Sequence, residues 1–451
     1  MNEFKLEIKP AAQKLNDILR SENSAILDML SERGLAISFP WSGILGQSAE
    51  AKGKKINATI GIAVLDDGTP MRLPSVMEQI GKIGETPADA LTYAPSQGKP
   101  ELRKVWKEMI RKKNPSLGNA LISTPIVTIA LTHGAVVAGY LFANPGDEII
   151  VADKFWGNYN LMFENNFGAK LKKINTFKGN GMDLEALKEA VNAPGDKKII
   201  VFNFPNNPAG YTPTDGEAHA IAKMLHEAAD RGKKIVAIFD DAYFGLVYKP
   251  GVFRESVFAL CANLHQNILA VKLDGGTKED YVWGFRVGFI TFAYKGMQAS
   301  GDVKTPRGAE VLEDKAAGAV RGTVSNAPQI SQSILVKAFT SPTYGEEKRK
   351  MFEILKARVE EVDRILAENE GRYREVFRPL PYNSGYFMCV QVDRGIDAEK
   401  VRKMLLDKYS TGVINVGDNL LRVAFSATPK KDIAALFENI FKACKNVKAG
   451  A

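Results

Sequence analysis

Four features of this 451-residue chain carry residue types that can act together chemically, and each follows a short apolar run. KIVAIFD ends in Asp240 and continues into Asp241-Ala242-Tyr243. KIIVFNF leads to the turn Pro205-Asn206-Asn207-Pro208-Ala209-Gly210. NILAVKL runs into Asp274-Gly275-Gly276-Thr277-Lys278, and Arg286 stands eight residues beyond that lysine. A lysine amine condenses with an aldehyde cofactor to a Schiff base. A cofactor ring with a pyridine nitrogen then needs a carboxylate there, to stay protonated as an electron sink, and Asp240 suits that role. Asn207 and Tyr243 can donate to a ring oxygen. A phosphate needs fixed positive charge and free backbone N–H groups. Arg286 offers the charge in bidentate form, and a helix expected to open at Gly134-Ala135 offers the amides.

Taken one at a time, these features have plainer readings. Asp-Asp-Ala-Tyr after a strand is a common helix start, and Asn-Asn-Pro-Ala-Gly is a good turn. Lys278 beside Glu279 and Asp280 resembles a solvated surface residue, and Arg286 a structural ion-pair partner. The order shifts the balance, because turn, aspartate, lysine and arginine all follow consecutive strands.

The elements that must position them begin near residue 120. IVTIAL, EIIVAD, KIIVFNF, KIVAIFD, NILAVKL and RVGFITF alternate with amphipathic stretches such as AVVAGYLFA and EAHAIAKMLHEAADR. Continuous apolar strands separated by helices predict an α/β fold: a large, mostly parallel, seven-stranded-type sheet covered on both faces. Ligands of such sheets gather beyond the carboxyl ends of the strands, where the four features fall. The first forty residues read as a helical lead-in. After residue 340 come a long charged helix, EEKRKMFEILKARVEEVDRILAENE, and a β-rich then helical tail. The length exceeds what one core usually supports. The expected division is therefore an N-terminal segment, 1–70, joining a smaller α+β domain at 341–451, with a large domain at 71–340.

Composition narrows the function. Apolar residues at 45% and charged residues at 25% are ordinary for a soluble globular protein. No apolar run approaches the roughly 20 residues of a membrane span, and the N-terminus MNEFKLEIKPAAQKL lacks the apolar core of a secretory signal. A cytoplasmic protein without membrane attachment is expected. Three dispersed cysteines and four dispersed histidines suggest neither disulfides nor a metal site. The net charge of +8 is spread among acidic residues, so a small anionic ligand fits better than nucleic acid.

The Asn-Asn-Pro-Ala-Gly turn, the Asp-x-Ala-Tyr group and the Lys-x7-Arg spacing together resemble the class I aminotransferases of the fold-type I pyridoxal phosphate enzymes, and especially their aspartate and aromatic branch. The resemblance runs over roughly residues 40–430. It implies pyridoxal 5′-phosphate on Lys278, with Thr277 nearby, and an amino acid and a 2-oxo acid as substrates. INATIGIAVLDDGTPMRLPSV is similar to that branch's substrate loop, which puts Gly61 near the substrate. Trp156-Gly-Asn-Tyr159 resembles the segment whose tryptophan stacks on the cofactor ring, and LLRVAFS places Arg422 at the substrate α-carboxylate. Tyr93-Ala-Pro-Ser-Gln-Gly98 resembles the segment that reaches the phosphate of a neighbouring subunit. Arg321-Gly-Thr-Val-Ser-Asn326 resembles the one whose arginine crosses a homodimer to a dicarboxylate's second carboxylate, with Ser325 approaching the other subunit's phosphate.

Three positions depart from the pattern. Gly275 stands where a hydroxyl residue is usual, His133 lies in the expected phosphate cradle, and Val324 replaces an aromatic. Aspartate or glutamate is the first expected amino donor, because of Arg321, and aromatic amino acids come second. A β-lyase or an amino-acid decarboxylase on the same fold is the alternative. A non-catalytic regulator that senses the cofactor, or a plain α/β binding protein, explains less.

Overall fold

The computed structural model describes residues 6–40, 42–301, 304 and 307–450. The lead-in contains helix α1 (Pro10–Asp28). The main sheet has seven strands: β1 (Ile126–Ile129), β2 (Glu148–Ala152), β3 (Lys170–Ile174), β4 (Lys197–Asn203), β5 (Lys234–Asp240), β6 (Ile268–Asp274) and β7 (Val287–Tyr294). Their order is β1-β7-β6-β5-β4-β2-β3. Only β7 runs antiparallel, to both of its neighbours. The architecture is the expected α/β one. The central strands β4, β5 and β6 are buried almost throughout, as their unbroken apolar runs require.

Strand β3 does not announce itself in the sequence. Its residues, Lys-Leu-Lys-Lys-Ile, form the outer edge of the sheet and, among the described residues, pair only with β2. Lysines are usual at an edge but weaken an apolar signal.

The helix after β1 departs from expectation. Helix α2 (Ala130–Phe142) opens four residues before Gly134, inside the run read as strand, so Gly134 and Ala135 are buried within it. Ala130 turns the chain with a positive φ of 56°. The Ile129 N–H donates to His133 Nδ1 at 3.1 Å, and the Thr128 hydroxyl donates to the Ala130 carbonyl at 2.9 Å. The turn is made by these contacts and not by Gly or Pro, so composition does not mark it. Gly288 lets the chains pass: a Cβ there would lie 2.7 Å from the Ala130 carbonyl carbon. The same proton arrangement settles His133. Its Nδ1 accepts, so Nε2–H donates to Thr323 Oγ1 at 2.8 Å, and His133 is a structural tie to the next helix rather than a phosphate ligand.

Three more helices matter below: α3 (Gly276–Glu279), which carries the lysine, α4 (Gly308–Thr323) and α5 (Tyr344–Glu368). Beyond α5 lies an antiparallel sheet of β8 (Phe377–Pro379), β9 (Phe387–Val392), β10 (Ile414–Val416) and β11 (Leu420–Ala424), ordered β8-β9-β11-β10. The segment before the large sheet joins it. Ile56 and Asn57 pair in parallel with Thr411 and Gly412, and Ala424 N–H donates to the Ala58 carbonyl at 2.9 Å. Among the described residues no helix is long and apolar enough to cross a membrane, and no group of three His, Cys, Asp or Glu is placed to hold a metal.

Candidate active site

Beyond the carboxyl ends of β4, β5 and β6 lies a cavity of about 290 Å³. Gly61, Trp156, Asn207, Asp240, Tyr243, Thr277, Lys278, Arg286 and Arg422 all line it, although they span more than 350 residues of chain. The topology gathers them because β4, β5 and β6 are neighbours that end at the same level.

Asp240 is the last residue of β5 and is 4% exposed. The Tyr159 hydroxyl donates to its Oδ2 at 2.6 Å, and the Ala242 N–H donates to Oδ1 at 3.2 Å. Burial pushes its carboxyl above the ordinary range, while Tyr159, Lys278 and the Ala242 amide pull against that shift without reversing it. A cation against this carboxylate would counter the effect of burial. Lys278 has its Nζ 5.4 Å from the centre of the Tyr243 ring. Burial pushes its ammonium down to about 8, opposed by Asp240 and reinforced by Arg286. Such an amine is neutral often enough near neutrality to attack a carbonyl. Burial keeps the Tyr243 phenol protonated, well above its usual range.

Arg422, on β11, is 1% exposed and packs 4.1 Å over the Phe387 ring. Its Nη1 donates to Asn207 Oδ1 at 3.1 Å and its Nη2 to the Thr59 carbonyl at 2.8 Å. Asn207 must therefore turn its oxygen to the arginine, which leaves its Nδ2 as the free donor. Arg422 Nε has no acceptor, and no carboxylate is paired with the guanidinium among the described residues. A buried guanidinium without a counter-ion is costly, so the site is prepared for an anion.

At the other end Arg286 takes a left-handed backbone, φ 54°, and its exposed side chain donates to the Trp283 carbonyl at 3.3 Å. The opening of α2 faces the same cavity through Ala130, Leu131 and Thr132. The Ala130 N–H donates to the Arg286 carbonyl, while the following amides have no acceptor within the helix. The free amides that open this helix and face the cavity are therefore at Leu131-Thr132, while Gly134 and Ala135 lie buried inside it. The departure at Gly275 also has a steric cause. A Cβ there would meet the Val287 carbonyl at 2.7 Å and Gly288 Cα at 2.8 Å, so no hydroxyl residue fits. Thr277 Oγ1 is buried without a partner.

Glu279 and Asp280, which made Lys278 look like a surface residue, are buried and point away from the cavity. Lys113 and Lys348 each lie 2.6 Å from Glu279, and the Tyr344 hydroxyl donates to Asp280 at 2.7 Å.

Besides Gly134 and Ala135, two more expected residues stand outside the cavity. Tyr93 is 91% exposed. Arg321, at the end of α4, is exposed and donates to Ser325 Oγ at 2.6 Å. Sequence reasoning gave no role to Tyr159, Leu131 or Trp283. Tyr159 had a signal, since a buried aspartate requires a side-chain donor. Tyr159→Phe removes a hydrogen bond to a buried carboxylate and is expected to weaken binding of a cationic ring at Asp240 by about 10–100-fold. Cofactor titration followed by absorbance checks this, and unchanged affinity would refute the role.

Residues 54–440 match the family of class I and II aminotransferases. The chain belongs to that family. Curated relatives in the aminotransferase family are distant. A probable aspartate/prephenate aminotransferase of Thermus aquaticus is 28% identical over 218 residues, 47% of this chain and 52% of that protein. The chain thus matches about half the length of this relative. An aspartate aminotransferase of Bacillus sp. strain YM-2 is 25% identical over 82% of this chain and 84% of its own. Among solved aminotransferases, one from Anaerococcus prevotii has a TM-score of 0.79 at 24% identity, covering 92% of this chain and 99% of that one. A single mutant of the aspartate aminotransferase of Thermus thermophilus has a TM-score of 0.70 at 20% identity, covering 92% and 99%. At such identities these likenesses speak for the fold.

Proposed function

We propose that this protein is a pyridoxal 5′-phosphate-dependent aminotransferase that moves the amino group of an L-amino acid to a 2-oxo acid such as 2-oxoglutarate. The observation that carries the reading is the buried, carboxylate-free Arg422 in the same cavity as Lys278 and Asp240. It offers an α-carboxylate the counter-charge it lacks, within reach of a reactive amine. The residues present fit the cofactor: Asp240 at the ring nitrogen, Asn207 Nδ2 and Tyr243 at the ring oxygen, Trp156 at the ring. The phosphate would be held by Arg286 and the first amides of α2 (Ala130–Phe142), with Thr277 beside Lys278. When bound, the cofactor supplies an electron sink and carries the amino group between substrates.

The chain's own part is positional and protic. Arg422 clamps the α-carboxylate in a bidentate pair, fixing which Cα bond stands across the ring. Lys278, as general base and then acid, moves the proton from Cα to the carbon that bears the amino group afterwards. Asp240 keeps the ring nitrogen protonated throughout. Two half-reactions then alternate, giving ping-pong kinetics.

The same reading makes the protein a homodimer, in which Tyr93 and Arg321 of each copy enter the other copy's cavity. Both are exposed, and the apolar Leu91 and Val324 close to them in sequence are exposed as well. Aspartate or glutamate is then the first-choice donor, with Arg321 binding the distal carboxylate, and aromatic amino acids the second.

The test is the absorbance of the purified protein as single amino acids are added without oxo acid. Conversion of a near-visible band by aspartate or glutamate supports the reading, and release of pyruvate, ammonia or carbon dioxide points to a lyase or decarboxylase instead. Arg321→Ala is expected to lower kcat/KM for dicarboxylic donors by about 10–100-fold while sparing aromatic ones. Equal losses for both would reject its role.

A further inference from the structure

We infer that Arg358 is a positioning residue for the substrate α-carboxylate, acting through the loop that carries Gly61; the inference rests on the reading of Gly61 and Arg422 above. Arg358 lies midway along α5 (Tyr344–Glu368) and is 0% exposed. Its Nη1 donates to the Ser426 carbonyl at 2.6 Å, and its Nη2 to the Val64 carbonyl at 2.7 Å and to Asp66 Oδ1 at 3.1 Å. Asp66 itself is largely exposed, its side chain 68% accessible. Two carbonyls from separate segments and the exposed Asp66, rather than a buried carboxylate, hold this buried charge, and its Nε has no acceptor.

The Val64 carbonyl belongs to a short stretch of loop held at three points. The Thr59 carbonyl accepts from Arg422 Nη2 at 2.8 Å, the Ile62 carbonyl from Ser426 Oγ at 2.9 Å, and the Val64 carbonyl from Arg358. Between the first and last of these, Gly61 and Ile62 line the cavity. If the loop moved away, the guanidinium would lose acceptors in a place water does not reach, at a substantial cost. The loop is thereby held in one position. A neutral core side chain would impose no such demand.

Helix α5 has a second anchor. Lys348 lies 2.6 Å from Glu279 and 3.0 Å from Asp280, the two residues after Lys278. Ten residues of helix, roughly 15 Å, separate Lys348 from Arg358. One rigid element therefore references both the turn that presents the reactive amine and the loop beside the carboxylate clamp. An α-amino acid holds its amine and carboxylate one carbon apart, so the relative placement of those two parts governs how well it binds.

The experiment compares the cofactor-loaded wild type, Arg358→Lys and Arg358→Met. The absorbance of the bound cofactor gives the affinity for an amino acid that the wild type accepts and for the matching amine without its carboxylate. Arg358→Met is expected to weaken the amino acid about tenfold or more and leave the amine unchanged. Arg358→Lys should fall between, because one ammonium cannot span both carbonyls as a planar fork does. It keeps the buried charge, so it carries the test if the methionine variant fails to fold. Backbone hydrogen exchange over residues 59–66 of the cofactor-free protein should speed up in both variants. Equal weakening of amino acid and amine, or no weakening at all, overturns the inference while the proposed function stands. If the wild type itself binds no amino acid better than the amine, the reading of the site fails and this inference with it.

Discussion

Lys278→Ala is expected to reduce turnover by about 10⁴-fold or more and to abolish the near-visible band, with the fold unchanged. Amine, proton carrier and covalent anchor are lost in one substitution. Stability should move the other way. Burial depresses the Lys278 ammonium from 10.5 to about 8, so the folded chain holds this proton less tightly than the unfolded chain does. Between pH 8 and 10.5 the unfolded state binds more protons, and this group's contribution to stability rises with pH through that window. Below pH 8 the contribution is at its least favourable. At pH 7 the alanine variant should therefore melt no lower than the wild type, as expected where activity needs a strained charge. The amine also gives an independent measurement. In the cofactor-free protein its reaction with a small aldehyde should have a midpoint near pH 8, whereas a midpoint above 10 would show an ordinary surface lysine.

Asp240→Asn is expected to lower kcat/KM by about 10²–10³-fold, the cost of taking one charge from a buried pair. The side chain keeps its shape and the amide oxygen can take the place of Oδ2 for the Tyr159 hydroxyl, at the loss of the longer bond from the Ala242 N–H. What disappears is the charge that holds a ring nitrogen protonated. Steady-state kinetics with one donor and one acceptor decide the matter. A loss of less than tenfold would mean that Asp240 orders the strand end and does no more, as the Asp-Asp-Ala-Tyr helix-start reading would have it.

The six apolar runs were legible because strands buried on both faces must be apolar throughout, and β4, β5 and β6 are. The site was legible because its residues follow those runs in order. Two kinds of feature were not. At Ala130 strand passes into helix within an unbroken apolar stretch, and the determinants are a positive φ and contacts to His133 and Gly288 that are made only in three dimensions. Tyr159 and Arg358 depend on partners 81 and at least 68 residues away, and no spacing rule encodes such distances. Glu279 and Asp280 misled in the opposite sense. Two consecutive acids read as surface, yet lysines from two other helices make them interior.

Strand β3 has a consequence unrelated to chemistry. It closes one side of the large sheet, and among the described residues its outer row of backbone donors and acceptors has no strand beyond it. Such a row is a template for fibrous growth, and a flat apolar strand there would invite it. With Lys170, Lys172 and Lys173 in five residues, two such rims brought together meet as like charges. The lysines that hid β3 from its sequence thus place like charge where concentrated chains would otherwise add strand beside strand.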